Sequence, residues 1–389
     1  MINSQTFLNF DAARVPSPCF VVDAAAVETN LKILQRLEIE SGARVLMALK
    51  AFSMFALAPL ISRYLSGTCA SGLFEARLGR EEFGGEVHAY SAAYRKADMQ
   101  EILSISDHVV FNSLGQWQRF APMIARARAE RPQLHFGLRV NPLHSEGAVP
   151  LYDPCAPGSR LGIPMPQLNG TVPEGISGLH FHTLCEQGFE PLDRTLSVIE
   201  KEFKDLLPQL QWVNFGGGHH ITKPDYPVDR LIARIRDFQD KYQLQVYLEP
   251  GEAIAIHTGV LVSEVMDIMH NATDIAILDC SATCHMPDTL EMPYRAEIID
   301  AAEPGLKQYT YRLGGLSCLA GDVMGDYSFD QPLQVGQRLI FDDMAHYTMV
   351  KTTTFNGVPL PAIAVWDSGT DKLELVKQFS YEDFKNRLS

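Results

Sequence analysis

VLMALKAF at residues 45–52 places a single charge, Lys50, near the end of an apolar run. A run of this length and composition indicates a strand that is buried on both faces. Burying an ammonium group without a partner is costly, so Lys50 either extends to water at the strand end or serves as a reactive amine. The stretch alone leaves both interpretations open, and the rest of the chain must decide between them.

Similar β-rich runs recur after this one. They are YLSGTCAS (64–71), VHAYSAA (87–93), HVVFNS (108–113), LHFGLRVN (134–141), ISGLHFH (176–182), QWVNFGG (211–217) and QVYLEPG (245–251). Segments between them, such as GLFEARLGREEF and PLDRTLSVIEKEFKDLLPQL, have the apolar spacing of helices. Helix starts are predicted at Ser71, with Glu75 just beyond it, and at Asn112 or Ser113. Eight strands alternating with helices over roughly 210 residues predict an α/β fold with a (β/α)8 TIM-like barrel.

One connection in this predicted barrel is long. PLHSEGAVPLYDPCAPGSRLGIP, at residues 142–164, follows the fifth predicted strand and is rich in proline and glycine. Loops of this length without secondary structure of their own are uncommon in compact domains and are often functional. We therefore predict that this segment is a functional loop.

The pattern changes from about residue 260, where strand-like runs follow one another without helices between them. The runs are GVLVSEVMDIM, TDIAILDCSA, YTYRLGG, QRLIFDDM and YTMVKTTTFNG. They predict a C-terminal antiparallel β domain, to which the N-terminal PCFVVDAAAV adds a strand before a helix enters the barrel. We predict a barrel at residues 24–260 and a β domain formed by residues 1–23 plus 261–389, an arrangement like that of the alanine racemase fold.

Composition excludes several classes of function. The formal net charge of −14 argues against binding to nucleic acid or to an anionic membrane. No run of 18 apolar residues predicts a membrane span, and the N-terminus lacks a signal-peptide pattern. Seven irregularly spaced cysteines form no disulfide framework, so a reducing cytoplasm is the expected location. CSATCH and GGGHH contain metal-binding residue types, but their spacing fits no standard zinc pattern, and we predict no metal site.

The predicted strand ends carry a set of chemically useful residues. Because the carboxyl ends of barrel strands share one rim, these residues are expected to converge there. They are Lys50, Arg139, His180, His182, Cys185, Gly216, Gly217, Gly218, Glu249 and Glu252. A lysine, a glycine-rich turn suited to phosphate and an acid together suggest pyridoxal 5'-phosphate (PLP). In that case Lys50 would bind the cofactor covalently, and the acid would keep its ring nitrogen protonated.

The motifs ALKAF, CAS, FHTLCE, NFGGG, EPGE, SCLAGD and AHYT occur in this order over nearly the whole chain. In this the chain resembles the fold type III (alanine racemase-like) PLP-dependent decarboxylases, which include ornithine and diaminopimelate decarboxylases. NPLHSE, SRLGIP, FHTLCEQ, NFGGGHHIT, EPGEA and CHMPD resemble, more specifically, the carboxynorspermidine and carboxyspermidine decarboxylase branch. The resemblance implies decarboxylation of a small polyamine precursor to norspermidine or spermidine, by a homodimer with shared active sites.

The resemblance also implies roles for residues of the barrel. Lys50 corresponds to the lysine that carries the cofactor, and His182 to the imidazole stacked on the cofactor ring. The turn at Gly217 and Gly218 corresponds to the phosphate-binding turn. Glu249 corresponds to the acid on the ring nitrogen. The remaining counterparts are Arg139, a supporting barrel arginine, and Cys185, which stands where ornithine-type enzymes have a phosphate-contacting serine.

Two residues of the predicted β domain have counterparts in the same family. Cys318 in GLSCLAGD resembles the cysteine that reaches across a dimer interface and returns a proton to the α-carbon. Tyr347 in AHYTM resembles the tyrosine near the phosphate. Leu319, however, replaces the aspartate that usually follows the cysteine, which shifts the expected substrate away from ornithine.

Acidic residues are candidates for reading the substrate. Glu252 stands where the ornithine-type EPGR motif has a phosphate-binding arginine, and a carboxylate there would repel phosphate. We therefore predict that Glu252 binds a substrate ammonium, and that Asp279, Asp288 and Asp322 are further candidates. Diaminopimelate or another basic amino acid remains an alternative substrate, and a PLP-binding protein without decarboxylase activity is an alternative function.

Overall fold

A computed structural model describes residues 4–147, 149–168 and 170–389. The chain divides into two compact units, one formed by residues 29–254 and the other by residues 1–28 with 255–389. Residues 1–3, at the start of the predicted β domain, lie outside the described part of the chain, as does Ala148 in the long loop.

The strands are numbered along the chain. They are β1 (Cys19–Asp23), β2 (Arg44–Ala48), β3 (Gly67–Ala70), β4 (Glu86–Tyr90), β5 (His108–Phe111), β6 (His135–Asn141), β7 (Ile163–Pro164), β8 (Gly178–His180), β9 (Trp212–Asn214), β10 (Gln245–Leu248), β11 (Gly259–Asn271), β12 (Thr273–Leu278), β13 (Tyr309–Gly314), β14 (Val323–Phe329), β15 (Arg338–Phe341), β16 (Ala362–Asp367) and β17 (Lys372–Lys377).

The helices are numbered in the same way. They are α1 (Ala24–Ser41), α2 (Ala58–Ile61), α3 (Leu73–Leu78), α4 (Lys96–Ile105), α5 (Leu114–Glu130), α6 (Phe189–Glu202), α7 (Val228–Tyr242), α8 (Glu252–Ala255), α9 (Ala282–His285), α10 (Asp288–Glu291) and α11 (Tyr381–Lys385). None of the helices in the described residues combines the length and the apolar character that crossing a bilayer requires.

The unit of residues 29–254 is a closed parallel barrel. Its strands pair in the order β2, β3, β4, β5, β6, β8, β9 and β10, and β10 pairs with β2 to close the ring. The short strand β7 adds to β6 outside the ring. Each of the eight predicted runs contains or overlaps one barrel strand, so the predicted TIM-like barrel is confirmed.

Trp212 fills the barrel interior at the start of β9, where it is buried. A Cβ atom at Gly178 on β8 would lie 2.0 Å from its ring, and one at Gly137 on β6 would lie 2.4 Å from it. The indole nitrogen donates to Ser177 Oγ at 3.1 Å. The two glycines therefore provide the space that this large side chain needs inside the barrel.

Three histidines form a layer beside Trp212, at the amino-terminal end of the barrel strands. The rings of His88 and His108 stack at 3.9 Å with an angle of 10° between their planes, and His135 lies 4.8 Å from His108. Glu86 brings a carboxylate within 3.0 Å of His88 Nε2. Glu86, His88 and His108 offer ligand atoms within 4.8 Å of one another. Because lone pairs of parallel rings lie in parallel planes and do not converge on one ion, we assign the layer to packing.

The other unit contains an eight-stranded sheet in the order β14, β13, β12, β11, β1, β16 and β17, with β15 paired to β11. Most pairings are antiparallel, as predicted, although β1 pairs with β16 and β12 with β13 in parallel. Buried apolar residues cover the sheet, among them Phe20, Leu261, Tyr327 and Phe341.

Some local predictions for this unit were wrong. The run at residues 347–357 forms short 3-10 turns and no strand. Tyr347 (φ 48°) and Asn356 (φ 59°) adopt left-handed backbone conformations, which interrupt an extended chain despite the β-forming threonines between them. Helices α9 and α10 also lie between β12 and β13, where none was expected.

One predicted helix start is confirmed, and another differs by one residue. Ser113 caps α5, because its hydroxyl accepts a hydrogen bond from Gln116 N at 3.1 Å. At α3 the cap position belongs to Gly72, and Glu75 instead accepts from the backbone N–H of Ser71 at 2.6 Å. The helical run predicted at 191–210 is α6, which ends at Glu202 and is followed by a 3-10 turn.

Candidate active site in the barrel

Lys50 lies directly beyond β2 at the carboxyl end of the barrel strands. Hydrogen bonds to both neighbours hold the strand end, from Leu49 N to Cys69 O at 3.1 Å and from Ala48 N to Pro250 O at 2.9 Å. The flanking residues Leu49 and Ala51 are buried, whereas Lys50 is exposed. The strand therefore anchors the lysine backbone and leaves its amine accessible at the rim.

The glycine turn lies at the end of β9 and leaves no room for side chains. A Cβ atom at Gly217 would lie 2.1 Å from Glu249 O, and one at Gly218 would lie 2.0 Å from Leu184 O. Gly216 and Gly218 also have positive φ angles of 70° and 85°. The amide of Gly216 donates to Asn214 Oδ1 at 2.8 Å. Backbone contact on both sides therefore makes glycine necessary here.

His182 lies against this turn. Its Nδ1 accepts a hydrogen bond from Gly217 N at 3.2 Å, and its backbone oxygen accepts one from Arg139 at 3.3 Å. Burial, followed by the positive charges of Lys50 and Arg139, lowers the pKa of His182 well below its usual value. The imidazole is therefore neutral at physiological pH and presents an uncharged flat ring at the rim.

Glu249 follows β10 and receives a hydrogen bond at each carboxylate oxygen. Asn214 Nδ2 donates to Oε1 at 2.7 Å, and His180 Nε2 lies 3.1 Å from Oε2. Burial alone would raise the pKa of Glu249, but His180 and Asn214 together with the charge of His88 lower it to about 2. Glu249 is therefore a largely buried carboxylate that stays ionised and can hold a proton on a ring nitrogen.

Glu252 and Cys185 are the remaining barrel candidates. Glu252 Oε1 is 3.0 Å from Nε2 of His220, a residue that follows the turn. Cys185 is exposed as a residue, but partial burial of its thiol, followed by the charges of Glu186 and Glu252, raises the pKa of the thiol. The Glu252 carboxylate thus belongs to the surroundings of the glycine turn, and its predicted contact with a substrate ammonium stays a prediction.

These barrel residues fit PLP. A turn made of glycines is the kind of backbone that can approach a phosphate group closely, and Lys50 offers an accessible amine. Glu249 supplies an ionised acid for a ring nitrogen, and neutral His182 supplies a flat surface for the ring. Bound there, PLP would provide an electron sink that none of these side chains provides alone.

Cys318 and Tyr347 lie in the other unit, in loops of the β sheet. Cys318 is exposed, and its backbone N–H donates to Asn356 Oδ1 at 2.9 Å. Tyr347 has a positive φ of 48°. Their roles in protonation and near the phosphate stay predictions.

The three predicted aspartates of this unit already accept hydrogen bonds within it. Asp279 Oδ1 accepts from Ser263 Oγ at 2.8 Å, and Asp322 Oδ2 accepts from Ser281 Oγ at 2.8 Å. Asp288, at the start of α10, pairs with Lys351. Asp322 is buried, and its contacts join separate loops, which gives it a structural role. Substrate contacts by these aspartates stay predictions.

His180 and Asn214 received no functional role from the sequence. Both lie on barrel strands and are Cα partners in the pairing of β8 with β9. His180 ends β8 and His182 follows two residues later, and this spacing, which in an extended chain puts two side chains on the same side, was the available signal. The hydrogen bonds to Glu249 depend on the barrel register, which the sequence alone does not give.

The parallel barrel with a lysine, a glycine turn and an acid at one rim, and the mostly antiparallel sheet of the other unit, define the class of alanine racemase-like PLP enzymes. The model of the family "Pyridoxal-dependent decarboxylase, C-terminal sheet domain" matches residues 19–345. The chain belongs to this family of PLP-dependent decarboxylases, and both the predicted cofactor and the predicted carboxy-lyase class are confirmed.

Curated relatives match nearly the full chain. A carboxyaminopropylagmatine decarboxylase of Synechocystis sp. is 48% identical, over 96% of each chain. A carboxynorspermidine/carboxyspermidine decarboxylase of Campylobacter jejuni is 41% identical, over 96% of this chain and 99% of that one. The resemblance to this branch of decarboxylases is thereby confirmed.

Solved structures show the same fold. The crystal structure of carboxynorspermidine decarboxylase complexed with norspermidine from Campylobacter jejuni has a TM-score of 0.88 and 40% identity, over 96% of this chain and 100% of that one. Diaminopimelate decarboxylase from Helicobacter pylori complexed with L-lysine has a TM-score of 0.80 at 15% identity, over 96% and 97% of the chains. The second likeness is one of fold alone.

Proposed function

We propose that this enzyme decarboxylates carboxynorspermidine and carboxyspermidine to norspermidine and spermidine. The observation that carries the proposal is the full-length similarity, at 40% identity, to a decarboxylase bound to norspermidine. The barrel adds physical support, because Glu249 is held ionised at the rim that also carries Lys50. An ionised acid favours a protonated ring nitrogen and thus the electron sink that decarboxylation needs.

Carboxyaminopropylagmatine is a second candidate substrate, because the Synechocystis relative named for its decarboxylation is 48% identical to this chain. All three compounds carry the same aminocarboxypropyl group on a secondary amine. They differ at the far end, which is a primary ammonium in two of them and a guanidinium in the third. The reacting group therefore does not discriminate between them, and the contacts of the far end would decide the preference.

Each barrel residue has a proposed role in the reaction. Lys50 binds the cofactor and afterwards releases the product amine. His182 supports one face of the cofactor ring, and the turn at Gly217 and Gly218 holds the phosphate. Glu249 holds a proton on the ring nitrogen. Arg139 holds the backbone of His182 through a hydrogen bond of 3.3 Å.

The roles outside the barrel are part of the same proposal. Cys318, with its exposed thiol, returns a proton to the α-carbon of a substrate bound by a second copy, and Tyr347 contributes near the phosphate. This requires a homodimer with shared active sites, in which residues 24–260 form the PLP domain and residues 1–23 plus 261–389 the interface domain. A cytoplasmic location is proposed because all seven cysteines are free thiols.

The assignment of Lys50 is tested with the Lys50→Ala variant. We expect this variant to lose the near-visible absorbance of the lysine-bound cofactor and the release of CO2 from carboxynorspermidine. Lys204→Ala, which changes an exposed lysine of the same unit, is the matched control and should keep both. A folded Lys50→Ala protein that keeps the absorbance and the activity would show that another residue carries the cofactor.

A further inference from the structure

Glu249 is hydrogen-bonded to two buried polar residues, His180 and Asn214, which have no role in the proposed reaction so far. His180 is 2% exposed and Asn214 is fully buried. Their side chains reach the two carboxylate oxygens at 3.1 Å and 2.7 Å, respectively. One donor at each oxygen determines the orientation of the carboxylate plane and leaves each oxygen able to accept another hydrogen bond.

The position of the proton on His180 follows from its surroundings. Burial lowers the pKa of His180 even though the charge of Glu249 opposes this, so the ring is neutral. Nδ1 is buried and has no hydrogen-bond partner among the described residues. The single ring proton is therefore on Nε2, where it is donated to Glu249, and the negative charge stays on the carboxylate.

Stacked side chains hold the imidazole in place. The ring of Tyr90 stacks on His180 with a centroid distance of 5.4 Å and an angle of 28° between the planes. The guanidinium of Arg139 lies over the Tyr90 ring at 4.6 Å. Rotation of His180 away from Glu249 would break this stacked arrangement.

Tyr90 in turn connects this layer to the long loop predicted to be functional. Its hydroxyl donates to Asn112 Oδ1 at 2.7 Å. Asn112 Oδ1 also accepts from Gly162 N at 2.7 Å, and its Nδ2 donates to Arg160 O at 2.7 Å. A continuous set of contacts thus runs from the end of the loop to the acid.

We propose that His180 is a positioning residue of the decarboxylation reaction. It donates from Nε2 to Glu249 and, with Asn214, orients the ionised carboxylate toward the nitrogen of the cofactor ring. Tyr90 and Asn112 connect the imidazole to the end of the loop at residues 142–164 and hold it in position. The inference rests on the proposed role of Glu249 and adds a residue that acts through it.

The first test replaces the donor and keeps the shape. In His180→Phe the stack on Tyr90 remains but the hydrogen bond to Glu249 is lost. Loss of a preorganised donor that acts on a charged catalytic group costs roughly 10- to 100-fold in rate. We expect kcat to fall by this factor with little change in KM, and the acid limb of the kcat profile to move up by about one pH unit, because Glu249 would then be easier to protonate.

A second readout needs no substrate. The affinity of the apoenzyme for PLP, measured by titration, should fall about 10-fold in His180→Phe. If the wild-type enzyme did not decarboxylate any polyamine precursor, this titration would still decide whether His180 supports the cofactor site. Failure of the inference and failure of the proposed function are thus distinguishable.

Two further variants separate donation from packing. His180→Gln retains an amide donor of similar reach and should recover part of the affinity and of the pH profile. His180→Asn is polar but too short, and should behave like His180→Phe even if the aromatic variant does not fold. His270→Asn, at an exposed position of the other unit, is the control for general effects. A folded His180→Asn protein with the wild-type PLP affinity and pH profile would overturn the proposal, as would an equal defect in His180→Gln.

Discussion

Glycines 217 and 218 have no space for even a methyl group. A Cβ atom at either position would lie far inside van der Waals contact with a backbone oxygen, at 2.1 Å and 2.0 Å. Backbone atoms cannot rotate away from such a collision as a flexible side chain can, so the strand end itself would have to move. The sequence indicated a phosphate turn at these residues, and the structure supplies the packing reason for the residue type.

We expect Gly217→Ala to weaken PLP binding at least about tenfold and to destabilise the protein, because the new methyl group must displace the backbone of Glu249. Gly115→Ala is the matched control, since a Cβ atom there would meet its nearest neighbour, Ser113 Oγ, at 3.9 Å. PLP titration and thermal unfolding measure the two effects. Wild-type affinity and stability in Gly217→Ala would contradict the close backbone packing of this turn.

Glu249→Gln keeps the size of the side chain but removes its charge. Because the ionised acid stabilises the protonated ring nitrogen, we expect kcat to fall by about 10²–10³-fold. The matched control is Glu81→Gln, which changes an exposed glutamate of the barrel unit and should leave kcat unchanged. Steady-state kinetics of folded, PLP-loaded variants measure kcat. A kcat near the wild-type value in Glu249→Gln would show that the charge of Glu249 is not needed for the reaction.

Among the secondary-structure elements, the barrel strands were predictable because both faces are buried, which produces uninterrupted apolar runs such as residues 45–49. The second unit was less predictable. The β-forming threonines at 352–354 suggested a strand, whereas the left-handed conformations of Tyr347 and Asn356 depend on tertiary contacts. β14, β16 and β17 were not anticipated at all. Pairing with distant segments of the chain decides which short runs become strands.

The histidine layer at the barrel floor predicts a dependence of stability on pH. Burial lowers the pKa of His88 to about 4, with the charge of Arg44 acting in the same direction and those of Glu249 and Asp107 opposing it. His108 and His135 face the same layer and have lowered pKa values too. The unfolded chain takes up protons near the ordinary histidine pKa of 6.5, before the folded protein does. The stability that neutral His88 contributes is therefore fully present above about pH 6.5, and it is lost as the pH falls toward 4.

We expect His88 to account for a loss on the order of 3 kcal/mol across that window. His88→Gln should lower stability at neutral pH through altered packing, but it should lose less on acidification than the wild-type protein. Urea unfolding at pH values above and within the window measures the difference, and His270→Gln is the exposed control. Equal acid sensitivity of His88→Gln and the wild-type protein would contradict the assignment.

For the molecule as a whole, the proposal of shared active sites predicts complementation. Lys50→Ala and Cys318→Ala each remove one functional side chain. In the proposed dimer, Lys50 of one copy and Cys318 of the other copy serve the same active site. Mixing the two variants under subunit exchange should restore about a quarter of the wild-type activity, since half of the dimers would contain one intact site. Activity assays before and after exchange measure the gain. No gain in a mixture that has exchanged subunits would contradict shared sites.

The sequence predicted the barrel from its apolar runs, and it predicted the cofactor and the class of reaction from residue types at strand ends, such as Lys50 and Glu249. It predicted substrate contacts less well. Asp279 and Asp322 were predicted to be available to a polycation. In the structure their carboxylates accept hydrogen bonds from the hydroxyl groups of neighbouring serines. A carboxylate in a sequence does not reveal whether it is already satisfied, because its partners come from segments far along the chain.

Decarboxylation of a carboxylated polyamine is the activity on which the assigned roles depend, and a comparison of substrates tests it. CO2 release by the PLP-loaded wild-type enzyme should be compared, as kcat/KM, for carboxynorspermidine, carboxyspermidine, carboxyaminopropylagmatine, diaminopimelate and ornithine. We predict that carboxynorspermidine and carboxyspermidine are the preferred substrates and that the two amino acids react poorly. A higher kcat/KM for carboxyaminopropylagmatine would select the second candidate, and turnover of diaminopimelate or ornithine alone would contradict the proposed function.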